Sequence, residues 1–570
     1  MALAFRRMDV SPRRVTVIAH EFRGIRPCGG MGTATTFLAL ALARIGHSVE
    51  MLLGRDTPPT LDEYWENVYA CAGVSLRRAP RGECEPWHFV DAHSIELGLR
   101  ESPPDVVIAH DFGAPAYTAL RLRQAGIAFE ETLFVVFCHG TRGYVMDVSP
   151  NLAPKDLRNL LGMVVHERAA VELADVVVSP SAYLVDWMRE QGWQLPEHTF
   201  VIPYFTRPTA TGESVSKRPW NDGEPLERLS FFGRVDEKKG VVPFAAALNA
   251  VEPQLLDGIE LEFVGKTTGT WTPERVQALL APARRALRRV SFETGLDQHD
   301  ALARLSRPGT LVLMPSLQDN SPNAVYECLE HGIPFIATRV GGVPELIAPE
   351  DHTHVLVEPT ATGIEAALRR VLVGGAVPAP ARPAVSGSDS LQRWADVVEL
   401  RPEQHVDGRP READDAFVLL LDQSDHAEPE LCELLMRAQA RTGADIVTCG
   451  ARILGKGTDT FHFFSGDAGG LGALSNTYGT VALIRETLLE GRETPWQAEG
   501  DAAWPLLAAL VAEGASIVSF PAALVTTTRI PGSLERDPSD ALLVAQQLER
   551  ALARPLRTTG RLVAGLASPW

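Results

Sequence analysis

Lysine is scarce in this chain: only positions 155, 217, 238, 239, 266 and 456 of 570 carry it, within 54 Lys and Arg in all. Against 72 Asp and Glu this leaves a formal net charge of −18. A chain so acidic repels phosphate polymers, which argues against generic nucleic-acid binding and requires any anionic ligand to be held by a local basic site. Cysteine is equally sparse. The seven (28, 71, 84, 138, 328, 432 and 449) are odd in number, scattered and never spaced C-x-x-C. That pattern excludes a disulfide framework and a zinc ribbon, and suits small buried hydrophobes in a reducing cytosol. No apolar run reaches the roughly 18 residues of a transmembrane helix. The first twenty residues, MALAFRRMDVSPRRVTVIAH, lack an apolar stretch followed by a cleavage site. The expectation is a soluble, cytoplasmic protein with no transmembrane segment. What remains is ordinary globular material, 45% hydrophobic and 22% charged, enough for three to four domains at about 150 residues each.

From residue 14 to about 205, short apolar runs alternate with amphipathic stretches. RVTVIAH (14–20), HSVEMLLG (47–54), DVVIAHD (105–111), TLFVVFCHG (132–140) and DVVVSPS (175–181) read as buried parallel strands. Residues 200–225 break the pattern with Pro, Gly and polar side chains. A second alternating series follows at 228–234, 259–265, 290–294, 310–316 and 333–340. This predicts an α/β protein with two Rossmann-like domains, residues 1–205 and 206–390, facing each other across a cleft toward which the strand C-termini point. The Pro/Ala/Gly/Ser-rich stretch 371–390 reads as a linker, and 391–570 as a third, different unit.

Three constellations stand at predicted strand ends. C28-G-G-M-G-T33 follows the first strand, where glycines let the backbone approach a ligand and the helix start favours negative charge. It is not the full dinucleotide fingerprint, and no acidic residue stands where a dinucleotide ribose requires one. F-F-G-R-V-D-E-K-K-G (231–240) delivers Gly233 and Arg234 to the cleft, with Lys239 one short turn later. A planar guanidinium and a compact ammonium suit a diphosphate. The third, M-P-S-L-Q-D-N-S-P-N-A-V-Y-E-C-L-E-H-G-I-P (314–334), predicts a helix from Pro322 to about His331, with Ser321 as N-cap. The free N–H groups of Asn323 and Ala324 would then point into the cleft. Asn323 and Glu327 share a face, and a carboxylate there accepts paired hydrogen bonds from vicinal ribose hydroxyls.

The ordered series G-R-x4-K-G, then P-S-x2-D-x3-N-x3-E-x4-G-x-P, then T-R-V-G-G-V-P-E-L resembles the family 4 glycosyltransferases, retaining enzymes of the GT-B fold. The GGMGT loop, His139-Gly140 and ELADVVVSPS fit the N-terminal half, and the likeness spans about residues 14–375. The resemblance implies that Gly29, Gly30 and Gly32 approach the donor phosphates and that Arg234 and Lys239 neutralise the diphosphate. Asp319, where the family carries Glu, would contact the sugar hydroxyls. Asn320, Asn323 and Ala324 would line the sugar and phosphate site, and Glu327 would hold the ribose. His139 would reach the sugar near the reacting carbon, with Asp111 a secondary candidate. The implied donor is a nucleoside diphosphate sugar acting as substrate, with no tightly bound cofactor and no required metal. The acceptor is a saccharide, lipid-linked saccharide or secondary metabolite. A nucleotide-sugar epimerase and a non-catalytic nucleotide-sugar-binding scaffold are the alternatives.

In the third unit, L-D-Q-S-D (421–425) with later N476-T-Y-G, Asp501 and F520-P resembles the C-terminal half of a family 2, GT-A-type enzyme, in which an Asp cluster binds a metal. Only 28 positions separate Trp394 from Asp422, too few for a nucleotide-binding half. The expectation is a truncated GT-A-like accessory domain that packs, forms a homodimer or holds an acceptor. Metal binding by Asp422 and Asp425 is left open.

Overall fold

The computed structural model describes residues 11–24, 29–54, 61–148, 157–204, 223–402, 416–422, 425–454, 459–468, 472, 476–492 and 503–528. In the first domain the strands are β1 (Arg14–Ala19), β2 (Ser48–Leu53), β3 (Val74–Arg78), β4 (Cys84–Glu85), β5 (Val106–His110), β6 (Leu133–Phe137), β7 (Val176–Ser179) and β8 (His198–Val201). All but β4 form one parallel sheet in the order β3-β2-β1-β5-β6-β7-β8. The central strands are Val/Ile-rich because both their faces are covered by helices, and β5, β6 and β7 are buried along their whole length. Strand order reverses between β1 and β5, which places a crevice beyond their C-terminal ends.

The second domain repeats the plan with β9 (Arg228–Phe232), β10 (Glu260–Val264), β11 (Arg289–Glu293), β12 (Thr310–Met314), β13 (Phe335–Thr338) and β14 (Leu356–Val357). Its parallel order is β11-β10-β9-β12-β13-β14, and its reversal falls between β9 and β12. Both predicted α/β series are therefore present, each predicted strand overlapping its apolar run, while β3, β4, β8 and β14 had no predicted counterpart.

The path between domains corrects one expected boundary. The helix Gly387–Glu399 returns to the first domain, where Trp394 is buried edge-on to Phe137 at 5.0 Å. Arg393 donates to the Val201 carbonyl at 3.2 Å, and Arg13 donates to the Leu400 carbonyl at 2.6 Å. A division at 391 cuts this helix, whose apolar face (Leu391, Trp394, Val397, Val398) needs the first sheet to cover it. The stretch read as a linker also starts too early, since the helix Ala361–Gly374 runs into it. The arginine-rich stretch 284–289 is the end of a four-residue helix, a turn and the start of β11, with Arg288 paired to Glu260 at 2.7 Å.

The third unit holds β15 (Phe417–Leu420), β16 (His426–Ala427), β17 (Ile446–Ile453), β18 (Thr460–His462), β19 (Ala482–Arg485) and β20 (Ile517–Thr527). The sheet is mixed: β17 runs parallel to β20 and antiparallel to β18 and β19. It is not a free-standing module. The first-domain segment β4 is hydrogen-bonded to its edge strand β18, and Leu122 and Ala125 share one core with Leu431, Leu435, Phe520 and Leu524.

Candidate active site

The two crevices face each other. On the second-domain side, β9 ends at Phe232 and the chain turns through Gly233, Arg234 and Lys239. Gly240 lets this turn close on β12: its φ is +78°, and a Cβ there would stand 1.8 Å from the Pro315 carbonyl oxygen. Lys239 is thereby set beside Asp319, and the two form an ion pair. Ser316 also donates to Asp319, at 3.3 Å. Arg234 is 58% exposed and pairs with Asp236, which accepts the Lys239 N–H at 2.9 Å. The two cations expected on a diphosphate are thus each held by a carboxylate of their own domain, because opposite charges this close attract.

The helix after β12 spans Asn323–His331 and begins one residue later than expected. Pro322, not Ser321, is its N-cap, and the Ser321 hydroxyl meets Tyr326 Oη at 2.8 Å instead of capping an N–H. Asn323 and Ala324 are its first two residues, so their N–H groups lack intrahelical acceptors. Glu327 lies buried one turn on and accepts from the Gln298 amide, a partner with no signal in the sequence.

On the first-domain side, Gly29 caps the helix Gly30–Ile45 and donates to Glu21 Oε2 at 2.8 Å. Gly29 and Gly30 are exposed, while Gly32 is buried within the first turn; Cys28 lies outside the described residues. Asp111, at the end of β5, is fully buried and accepts the N–H groups of Phe112, His139 and Gly140 at 2.8, 2.9 and 2.9 Å. It builds the loop that carries His139, and does not face the cleft. Burial pushes its carboxyl up to about 6 against the opposing pull of those N–H groups. The His139 ring is held by Nδ1, 2.6 Å from Tyr204 Oη, which leaves Nε2 without a partner among the described residues. Burial lowers its pKa to about 3, so the imidazole is neutral.

Direct bonds cross the cleft. Asn323 Nδ2 donates to the Gly30 carbonyl at 3.0 Å; a Cβ on Gly30 would crowd that amide at 3.1 Å. Asn320 donates to the His139 carbonyl at 3.3 Å and accepts from Ser181. Glu345 accepts the N–H groups of Ala182 and Tyr183 at 2.6 and 2.8 Å, and Gln318 donates to Tyr183 Oη at 2.5 Å. The structure brings His139, Asn320, Asn323, Ala324, Gly29 and Gly30 to one seam, with Asp319, Lys239 and Arg234 beside it. Sequence reasoning missed Tyr204 and Glu345. Glu345 sits in the T-R-V-G-G-V-P-E-L string and could have been found there, whereas Tyr204 lies near the start of 200–225, a stretch read only as a break in the pattern.

Asp422 and Asp425 belong to the third unit, where the Asp425 N–H donates to the Asp422 carbonyl at 3.1 Å. Among the described residues no group of three or more His, Cys, Asp or Glu could hold a metal ion; Asp501 lies outside them. No helix of the described residues is long and apolar enough to cross a membrane.

Comparison with known proteins matches both halves of this seam. A glycosyl transferase 4-like domain model matches residues 29–204, and a glycosyl transferases group 1 model matches residues 227–373. Neither reaches the third unit, so the expected likeness of that unit to a truncated family 2 enzyme finds no support there. Glycogen synthase of Mycobacterium tuberculosis is 27% identical over 389 residues, covering 63% of this chain and 86% of the relative. The D-inositol 3-phosphate glycosyltransferase of Saccharomonospora viridis is 24% identical over 396 residues, covering 63% and 85%. Sucrose-phosphate synthase from Thermosynechococcus elongatus is similar in structure at a TM-score of 0.47 and 18% identity, covering 68% of this chain and 96% of that one. With one glycosyltransferase model matched on each side of the cleft, this chain is a glycosyltransferase of the two-domain GT-B fold.

Proposed function

We propose that the enzyme moves a hexose-like unit from a nucleoside diphosphate sugar to a hydroxyl acceptor with retention of configuration. The donor binds the second domain and the acceptor the first. The observation that carries this reading is the convergence, at the second domain's strand-order reversal and facing that of the first, of a Gly-Arg…Lys-Lys turn, a helix N-terminus and a buried carboxylate one helical turn deeper. Lys239 and Arg234 exchange their internal carboxylates for the diphosphate, and the Asn323 and Ala324 N–H groups supplement them. The released Asp319 is then free to accept hydroxyls of the sugar, and Glu327 takes the ribose. Departure of the nucleoside diphosphate is the charge-developing event. Fixed cations and oriented amides favour it, and the loss of one such group costs roughly 2–4 kcal/mol of transition-state stabilisation. The neutral His139 offers Nε2 as a hydrogen-bonding atom to the transferred sugar, oriented by Tyr204. The closed seam excludes water and so suppresses hydrolysis of the donor.

Calorimetric titration of UDP-, GDP-, ADP- and dTDP-sugars into wild type and Lys239→Ala tests this. The expected result is tight binding of one donor, weakened about tenfold or more in the variant, roughly 1.4 kcal/mol. Equal affinity in the two proteins removes the diphosphate assignment, and failure of every donor to bind removes the reading as a whole.

A further inference from the structure

The third unit has no part in the chemistry outlined above, yet it is built into the first domain at one particular place. Cys84 and Glu85 form a strand of two residues that leaves the first sheet and pairs in parallel with β18, Phe461 beside Cys84 and His462 beside Glu85. The Phe463 N–H extends the ladder to the Glu85 carbonyl at 2.8 Å. So short a strand has no independent stability and depends on the sheet that accepts it. Phe463 then enters the first domain's core. It is buried, 5.8 Å from the Phe89 ring and 5.0 Å from the His93 ring. Two residues on, Ser465 Oγ meets His166 Nε2 at 2.9 Å, and His166 stacks on Tyr117 at 3.8 Å.

The segment gripped in this way leads directly to the cleft. From Glu85 the chain passes through the turn Trp87–Phe89 into the helix Val90–Glu101. In the first turn of that helix, Asp91 Oδ2 lies 3.3 Å from His20 Nδ1. His20 follows β1 and stacks on His110, the last residue of β5, at 6.3 Å. His110 in turn meets His139 edge-on at 5.0 Å. Three imidazoles therefore cross the C-terminal ends of neighbouring strands, and the outer one is set by an aspartate whose helix start is fastened by the third unit.

We propose that the third unit is the support of the acceptor wall: by pairing β18 with Cys84–Glu85 and seating Phe463 between Phe89 and His93, it holds Asp91 against His20 at the rim of the cleft. Phe463 is thus a positioning residue acting through Asp91. The assignment of this wall to the acceptor rests on the function proposed above; the mechanical link between the third unit and His20 does not.

The test uses the full-length chain with Phe463→Ala and Phe463→Leu. Hydrogen exchange over residues 82–95 and the rate of His20 modification by diethyl pyrocarbonate, mapped by mass spectrometry, report the wall. Calorimetry with UDP, GDP and ADP reports the donor side. The expected result for alanine is at least tenfold faster exchange over 82–95 and severalfold faster His20 modification, with nucleotide affinity within twofold of wild type. Leucine restores both. Wild-type exchange and labelling in the alanine variant would overturn the proposal, as would a parallel loss of nucleotide affinity, which marks general loosening. If the alanine variant does not fold, Phe461→Ala serves instead: that ring is exposed, lies beside Cys84 in the ladder and contacts His93 at 5.9 Å. Its expected effect has the same direction and is smaller, and an unchanged His20 rate there again overturns the proposal. If no nucleotide binds wild type, the donor reading fails, while exchange and labelling still decide the link.

Discussion

His139 shows how little of a residue's chemistry lies in its identity. Its neutral state comes from burial, and its orientation from one bond to Tyr204 and a loop fastened on Asp111. Removing the Tyr204 hydroxyl by Tyr204→Phe deletes its bond to His139 together with a longer one, at 3.4 Å, to the Cys138 carbonyl, a net loss of about 1 kcal/mol. The expected outcome is a roughly fivefold lower transfer rate with nucleotide affinity unchanged, since phenylalanine keeps the ring contact at 5.7 Å and the backbone N–H bond at 3.1 Å to Tyr326 of the helix Asn323–His331. Steady-state kinetics beside calorimetry separates the two, and a loss of nucleotide affinity would contradict the assignment. Lys239 illustrates the complementary case. Its scarcity as a residue type marked it in the sequence, but its internal partner Asp319, 80 positions away, was not marked with it.

Elements carry the site through a few close approaches. The turn after β9 reaches β12 only because residue 240 has no side chain. Gly240→Ala is strained twice, by a left-handed backbone that costs about 1–3 kcal/mol and by a clash with the Pro315 carbonyl. The expected outcome is a lower melting temperature together with loss of nucleotide binding, because Lys239 moves with the turn. A variant that melts lower but binds normally would show that the turn does not place Lys239. The helix Asn323–His331 was legible from Gly332 and Pro334 at its far end. Its start was not, because the Ser321 hydroxyl that local rules assign to capping is drawn to Tyr326 on the buried side of the same helix.

The molecule as a whole is held shut by bonds between its halves. Glu345 makes two charge-assisted bonds to backbone N–H groups 162 and 163 positions away, each of the class worth about 1.5–3 kcal/mol. Glu345→Ala is expected to open the cleft, seen as a larger radius of gyration in small-angle scattering of the nucleotide-free protein. An unchanged radius would show that other seam contacts suffice. The seam with the third unit has its own pH response. Burial lowers the pKa of His166, and that of His462 to about 4, with the neighbouring His88 pressing both the same way. A histidine lowered in the folded state stabilises the fold fully above its unfolded value of about 6.5 and loses that contribution as the pH falls from there toward the folded value. In thermal melts between pH 8 and pH 5 the wild type should therefore lose stability relative to His462→Gln as the pH falls, because the glutamine has no proton to gain, and a difference between the two that does not change with pH would contradict this.

Two parallel sheets, their strand runs and the order of the donor-side motifs follow from local patterns, because alternation and helical period are dictated by neighbours along the chain. Arg234, Lys239, Asn323 and Glu327 could be named for the same reason, each standing at or just beyond a strand end or helix start that the pattern already marks, whereas Asp319 was named only by the resemblance to the family 4 glycosyltransferases. The return of Trp394 to the first sheet, the Tyr204–His139 bond, the Glu345 latch and the pairing of Cys84–Glu85 with β18 have no such marks. Each joins groups far apart in sequence, so only the packing of finished elements against one another brings them within a few ångströms. The chemistry of the site was thus written in short stretches of chain, and its closure and its support in the contacts between them.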